Sequence, residues 1–135
     1  MSRSKPKLTE TEKITINLGL VDLGQIDLLV QEGFYSNRTD LIRTALRNQL
    51  ATHADVVKQT VARKSLSLGL QRYSRAELEA MRAAGKRLRI QALGLVVVDD
   101  DVTPELAAAT IDSVAILGAF HASPAVKAAL SNRIQ

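Results

Sequence analysis

Residues 12–18, Glu12-Lys-Ile-Thr-Ile-Asn-Leu18, alternate strictly between polar and apolar. Ile14, Ile16 and Leu18 fall on one side and Lys13, Thr15 and Asn17 on the other, which predicts a half-buried strand. Over residues 21–32, Leu23, Ile26, Leu29 and Val30 recur at helical spacing, and Gly33 supplies a helix stop. Gly24 is an unhelpful residue in the first turn and leaves the start of this helix open. Phe34-Tyr-Ser36 reads as a short turn. Asn37 is a good N-cap, and Asp40 places a carboxylate in the positive first turn of a second helix. Leu41, Ile42, Ala45, Leu46 and Leu50 form its apolar stripe. Ala54, Val57 and Val61 continue that stripe and predict a helix running on to about Arg63.

Farther along, residues 65–73 read as irregular or extended. Ser74-Arg-Ala-Glu77 has capping-box spacing, followed by Leu78, Met81 and a stop at Gly85. Residues 87–98 are rich in aliphatic and β-branched side chains and predict one strand, or two broken at Gly94. Thr103-Pro-Glu105 opens a helix with proline at its first position. Residues 113–119 predict another strand, and Ser123-Pro124 opens a last helix. Ala92-Leu-Gly94 matches Ile116-Leu-Gly118, and Thr103-Pro-Glu-Leu-Ala-Ala-Ala109 matches Ser123-Pro-Ala-Val-Lys-Ala-Ala129. The first of these units carries an insertion near Asp99-Asp-Asp-Val102. A strand–helix unit used twice can stack its strands and bury a shared face.

The expected fold class is therefore α+β. A flexible basic arm (1–11) precedes a strand and two helices (12–52). A helical connector (53–85) leads to a small βα-repeat domain for oligomerisation or partner binding (86–135).

Composition narrows the chemistry. Apolar residues make up 46% of the 135, enough for a core, but with two Phe, two Tyr and no Trp that core must be aliphatic. The absence of cysteine excludes disulfides, thiolate metal sites and a cysteine nucleophile. No apolar run approaches the roughly 18 residues of a membrane span, no signal-type apolar stretch follows the basic start, and a cytoplasmic location is expected. Charge is unevenly placed. Residues 1–50 carry seven Lys/Arg against six Asp/Glu, residues 51–93 nine against three, and residues 94–135 two against five. A basic front and middle with an acidic end suits a nucleic-acid binder with a distal second module.

A single strand cannot satisfy its own backbone groups, and one strand with two short helices buries too little apolar surface to fold alone. A second copy solves both problems. The two strands pair antiparallel about a two-fold axis, four helices cover Ile14, Ile16 and Leu18, and the outer face carries Lys13, Thr15 and Asn17 twice. Such a ribbon fits the major groove of B-DNA. There lysine can donate to guanine O6 and N7, asparagine can read adenine bidentately, and threonine offers a hydroxyl and a methyl. The start of the second helix presents unpaired amides suited to phosphate, at Ser36, Asn37 and Arg38. Arg3, Lys5 and Lys7 form an arm that can touch the DNA backbone. Arg43 and Arg47 read as solvated helix-surface charges.

The stretch Lys13-Ile-Thr-Ile-Asn-Leu18, with Gly33-Phe-Tyr-Ser-Asn-Arg-Thr-Asp-Leu-Ile-Arg-Thr-Ala-Leu-Arg47, resembles the ribbon-helix-helix repressors of the Arc/MetJ/CopG type. The resemblance covers about 40 residues of the N-terminal part. It implies a dimeric fold, base contacts from Lys13, Thr15 and Asn17, and phosphate contacts where the second helix begins. The function it implies is a sequence-specific transcriptional repressor acting on a double-stranded operator of palindromic or repeated half-sites.

Other classes fare less well. Some proteins of this type sense metals, but only His53 and His121 are present, and that chemistry wants several His or Cys ligands. His53 reads as a surface residue and Asp99, Asp100 and Asp101 as a solvated acidic loop. No catalytic constellation or Gly-rich phosphate loop stands out, so neither enzymatic activity nor a cofactor is expected. Two alternatives stay open: an antitoxin that also binds its own operator and takes a toxin as partner, and a non-DNA scaffold built on the βα repeats.

Overall fold

A computed structural model describes residues 11–135, which fall into two compact units, residues 11–60 and residues 61–135. In the first, the strand expected at 12–18 does not form in the single chain. Residues 11–19 adopt no regular structure, and every one of them is exposed. The cause is pairing: a strand needs a second strand to take its N–H and C=O groups, and residues 20–60 are helices and turns. Helix α1 (Leu20–Gln31) starts one residue after Gly19, so Gly24 lies inside it. Gly33, at φ +85°, ends it. The Phe34 amide donates to the Leu29 carbonyl (3.0 Å) and the Gly33 amide to the Val30 carbonyl (3.1 Å), the paired bonds of a left-handed C-terminal cap.

Helix α2 (Arg38–Thr52) stops at His53, and α3 (Ala54–Arg63) restarts at once, so the expected continuous helix is two. The Thr52 hydroxyl donates back to the Asn48 carbonyl (3.1 Å), and the His53 amide reaches the Leu50 carbonyl (3.1 Å). The last turn is thereby tightened, and side-chain back-bonding of this kind bends helices. Helix α3 ends through Ser65, at φ +52°. The Leu66 amide donates to the Val61 carbonyl (2.9 Å), the same cap as at Gly33 but built on a residue with a Cβ.

The second unit is a three-stranded parallel sheet in the order β1 (Ser67–Tyr73), β2 (Leu88–Val98), β3 (Ile111–His121). Residues 65–73, expected to be irregular or extended, thus supply its edge strand. The strands alternate with α4 (Arg75–Ala83), α5 (Pro104–Thr110) and α6 (Pro124–Ala129). Each helix opens on a hydroxyl cap, Ser74 on the Glu77 amide, Thr103 on the Leu106 amide and Ser123 on the Val126 amide. There are therefore three strand–helix units, and β1–α4 is the first. Ala92 pairs with Ile116, Leu93 with Leu117 and Gly94 with Gly118, the alignment expected from the sequence, and Gly69 pairs with Gly94 on the other side.

One face of the sheet carries the core. Ile90, Ala92, Val96, Val98 and Val114 pack against Leu78 of α4, Leu106 and Ala107 of α5, Val126 of α6 and Leu130 just after it. Burial of each large aliphatic side chain stabilises the unit by about 1.5–3 kcal/mol. Helix α5 runs into β3 without a loop, which strands its last carbonyls. The Arg133 guanidinium spans the junction, donating to the Ala108 carbonyl of α5 (2.7 Å) and to the Ile111 carbonyl at the start of β3 (2.8 Å). The buried Thr110 hydroxyl donates to the Leu106 carbonyl (2.7 Å).

Two substitutions test this architecture. Ser65→Gly removes a left-handed strain without touching a contact and is expected to stabilise the protein by up to about 1 kcal/mol, read from denaturant midpoints. Gly94→Ala would drive a Cβ into the Gly69 carbonyl at a backbone of φ +137° and is expected to abolish the cooperative transition of residues 61–135. An unchanged midpoint for Gly94→Ala would show that the strands do not lie in this register.

Candidate nucleic-acid interface

The residues expected to read bases, Lys13, Thr15 and Asn17, lie on the exposed stretch before α1. Ile14 and Ile16 between them are 76% and 62% exposed. No hydrogen bond or ion pair joins Lys13, Thr15 or Asn17 to Ser36, Asn37 or Arg38 in the single chain, so the two sets are separate here. Arg3, Lys5 and Lys7 fall outside the described residues. The unit as a whole lacks an interior: α1, α2 and α3 contain no buried residue. Phe34, Leu46 and Leu50 are 70%, 56% and 65% exposed.

What the single chain does assemble is the start of α2. Asn37 is extended and its side-chain oxygen accepts from the Asp40 amide (2.8 Å). Asp40 reaches back past the cap, and its Oδ2 accepts from both the amide and the hydroxyl of Ser36 (3.0 Å each). These bonds, the amide first, hold the Asp40 carboxyl below its ordinary value of 3.8, and the charge of Arg47 adds to them. Arg38 turns to α1, where Nε donates to Asp27 Oδ1 (2.7 Å) and Nη2 to Asp27 Oδ2 (2.8 Å). That fork holds the Asp27 carboxyl below 3.8 and raises the Arg38 guanidinium above its usual value. Both side chains are about half exposed, so the pair fixes geometry more than it adds stability.

The expected anion site is therefore partly occupied by the chain's own carboxylates. Ser36 has given its amide and hydroxyl to Asp40. The amides of Arg38 and Thr39, in the first turn, have no partner inside the helix, and Arg38 retains donors beyond the two on Asp27. The Asp27–Arg38 pair is not legible in the sequence. Its only sequence signal is a carboxylate and a guanidinium either side of the turn, which means nothing until the helices are folded against each other.

A match to the Ribbon-Helix-Helix transcriptional regulator family covers residues 9–127. The chain belongs to that family. Its members are DNA-binding transcriptional regulators that typically act as dimers and are generally not enzymes. The match extends well beyond the 40 or so residues of the N-terminal resemblance, so the βα units are part of what this regulator shares with its family. No curated protein and no solved structure matches the chain.

Among the described residues no group of three His, Cys, Asp or Glu side chains could hold a metal ion. Asp99 is paired with Arg72 (2.7 Å), and His53 with Gln49 (3.2 Å). Among the same residues no helix is long and apolar enough to cross a membrane.

The cap predicts its own energetics. Asn37→Ala is expected to cost about 1 kcal/mol of stability. The Asp40 contribution has a defined pH dependence, because its folded pKa is lowered. It is complete above the ordinary value of 3.8 and is lost as pH falls through the folded value. The stability gap between wild type and Asp40→Asn should therefore be widest near neutrality and close in acid. A gap that is the same at every pH would mean that the Ser36–Asp40 bonds do not form in solution.

Proposed function

We propose that the chain is a repressor that reads the major groove of its operator with a two-stranded antiparallel ribbon, one strand from residues 12–18 of each of two copies. The observation that carries this reading is the missing interior of residues 11–60. Ile14, Ile16 and Leu18 stand in the open beside two helices that bury nothing. The polar residues of the alternation, Lys13, Thr15 and Asn17, then face outward, and no packing requires their identities. Pairing two copies covers the apolar set and leaves the polar set for base edges, six side chains on one ribbon. The capped start of each α2, with Asn37, Arg38 and the neighbouring first-turn amides, clamps a phosphate on either side, Ser36 supporting it through Asp40. The basic excess of residues 51–93 adds sequence-independent attraction.

An antitoxin reading is weaker on one observation. A tail that orders only on its toxin would lack an interior of its own, whereas residues 61–135 enclose Leu78, Ile90, Val96 and Val126 completely or nearly so. The scaffold reading leaves the alternation of Lys13, Thr15 and Asn17 without a purpose.

Binding measurements separate the two kinds of contact. Lys13→Ala, Thr15→Ala and Asn17→Ala are each expected to lower operator affinity by about 1–3 kcal/mol per lost contact, doubled in the dimer, with little change on random DNA. If all three variants bind operator like wild type, the ribbon does not read bases. Arg38→Ala should instead weaken operator and random DNA alike and flatten the salt dependence by about one phosphate contact per subunit. A loss confined to the operator would place Arg38 on a base.

A further inference from the structure

The two edges of the parallel sheet are unequal, and they fit each other. At each internal pairing, the later glycine makes room for the carbonyl of the earlier one. A Cβ on Gly94 would overlap the Gly69 carbonyl, and a Cβ on Gly118 would overlap the Gly94 carbonyl. Gly69 has the same left-handed backbone, φ +115°, yet among the described residues a Cβ there meets nothing within 4 Å. Its slot is open at the edge of β1. By the same repeat, the Gly118 carbonyl points off the opposite edge, with no glycine to receive it. The apolar rows on the face away from the helices break off in the same way. Leu68, Leu93 and Leu117 align across the strands, and the two ends of the row, Leu68 and Leu117, are 69% and 60% exposed.

The edges also agree in length. Residues 133–135 pair with β3 at Val114: the Val114 amide donates to Arg133 (3.0 Å), and the Gln135 amide to Val114 (2.8 Å). Among the described residues that leaves 116–121 of β3 uncovered, the stretch that registers with 67–72 of β1 when Gly118 is set beside Gly69. Neither stretch carries the proline or lysine that commonly guards an edge strand.

We propose that β3 of one copy adds in parallel to β1 of another, with the Gly118 carbonyl entering the Gly69 slot, so that residues 61–135 of successive copies form one continuous sheet. The contact is heterologous, because each copy offers one edge of each kind, and it builds chains of copies rather than closed pairs. It is independent of the ribbon and needs no DNA.

The cysteine-free chain permits a direct test. Within one copy, β1 and β3 are separated by β2 and lie roughly 10 Å apart, by twice the usual strand spacing. That is beyond the roughly 7 Å over which a disulfide closes. In the full-length protein, Leu68→Cys with Leu117→Cys should therefore oxidise into a covalent ladder extending past two chains on a non-reducing gel, while each single variant, which can form at most a covalent pair, stays at the one-chain position. Wild type should show masses above two chains in light scattering. Leu117→Lys, which places the kind of charge that guards edge strands on an exposed position of β3 and leaves the strained glycine backbone at Gly69 alone, should fall back to the two-chain mass with an unchanged far-UV circular dichroism spectrum. Absence of a ladder together with a wild-type mass that stops at two chains would overturn the proposal. So would equal cross-linking of the Leu68→Cys variant alone, which would mean that like edges or faces meet. No DNA enters either readout, so these results leave the base-reading assignment to its own test.

Discussion

An extended segment carries a row of amides and carbonyls that it cannot pair with itself, and in this protein that constraint governs both units. Residues 12–18 have the alternation of a strand but no strand to join. The helices beside them are shaped entirely by local bonds: the left-handed cap at Gly33, the Asn37–Asp40–Ser36 exchange and the Arg38–Asp27 fork. These fix where α1 ends and α2 begins without enclosing anything. A helix pair whose apolar side chains remain exposed gains its main stabilisation only on association, since packing rather than propensity holds short helices. In the proposed dimer the same event forms the core and the reading surface, so folding of residues 11–60 and competence for DNA are one equilibrium.

Residues 61–135 meet the constraint differently. Parallel pairing satisfies β2 on both sides, and three helices on one face provide an interior that needs no partner. The strands approach closely enough at the central row that only glycine fits beside the previous strand's carbonyl, at Gly94 and again at Gly118. Parallel sheets are usually covered on both faces. Here the second face keeps its outer leucines in the open, and the sheet still has two unlike edges, so the unit has an interior of its own yet is unfinished.

Signals carried by neighbouring residues were legible in the sequence. The Asn37 and Ser74 caps, the Gly33 and Gly85 stops, and the alignment of Ala92-Leu-Gly94 with Ile116-Leu-Gly118 all rest on chemistry within a turn or on a short repeated string. The first βα unit was harder to find because β1–α4 has lost the proline after its cap, and Leu68-Gly-Leu70 is too short a match by itself. Only its register with Gly94 exposes it. The break at His53 depends on a hydroxyl back-bond that competes weakly with a helix and has no strong sequence signature. The 12–18 alternation is a pattern, and a pattern names a strand only where a partner strand exists; residues 20–60 offer none.

The same distinction applies to the proposed phosphate site. Types and spacing singled out Ser36, Asn37 and Arg38 as donors, and the fold sets carboxylates against two of them. This need not work against the proposed role. An exposed Arg–carboxylate pair contributes little net free energy, so exchanging Asp27 for a phosphate oxygen costs little, and the guanidinium has donors enough to hold both. What the Asp27 fork does is restrict a long, flexible side chain to one place beside the first turn of α2. The entropy that Arg38 would lose on meeting DNA is then largely lost already in the free protein. The Asp40 bonds act similarly on the backbone, holding Ser36 and Asn37 in the extended form that opens the helix. The carboxylates are better understood as positioning groups for the donors than as rivals to the phosphate, and their cost is a local negative charge that the arginines and the first-turn amides must outweigh.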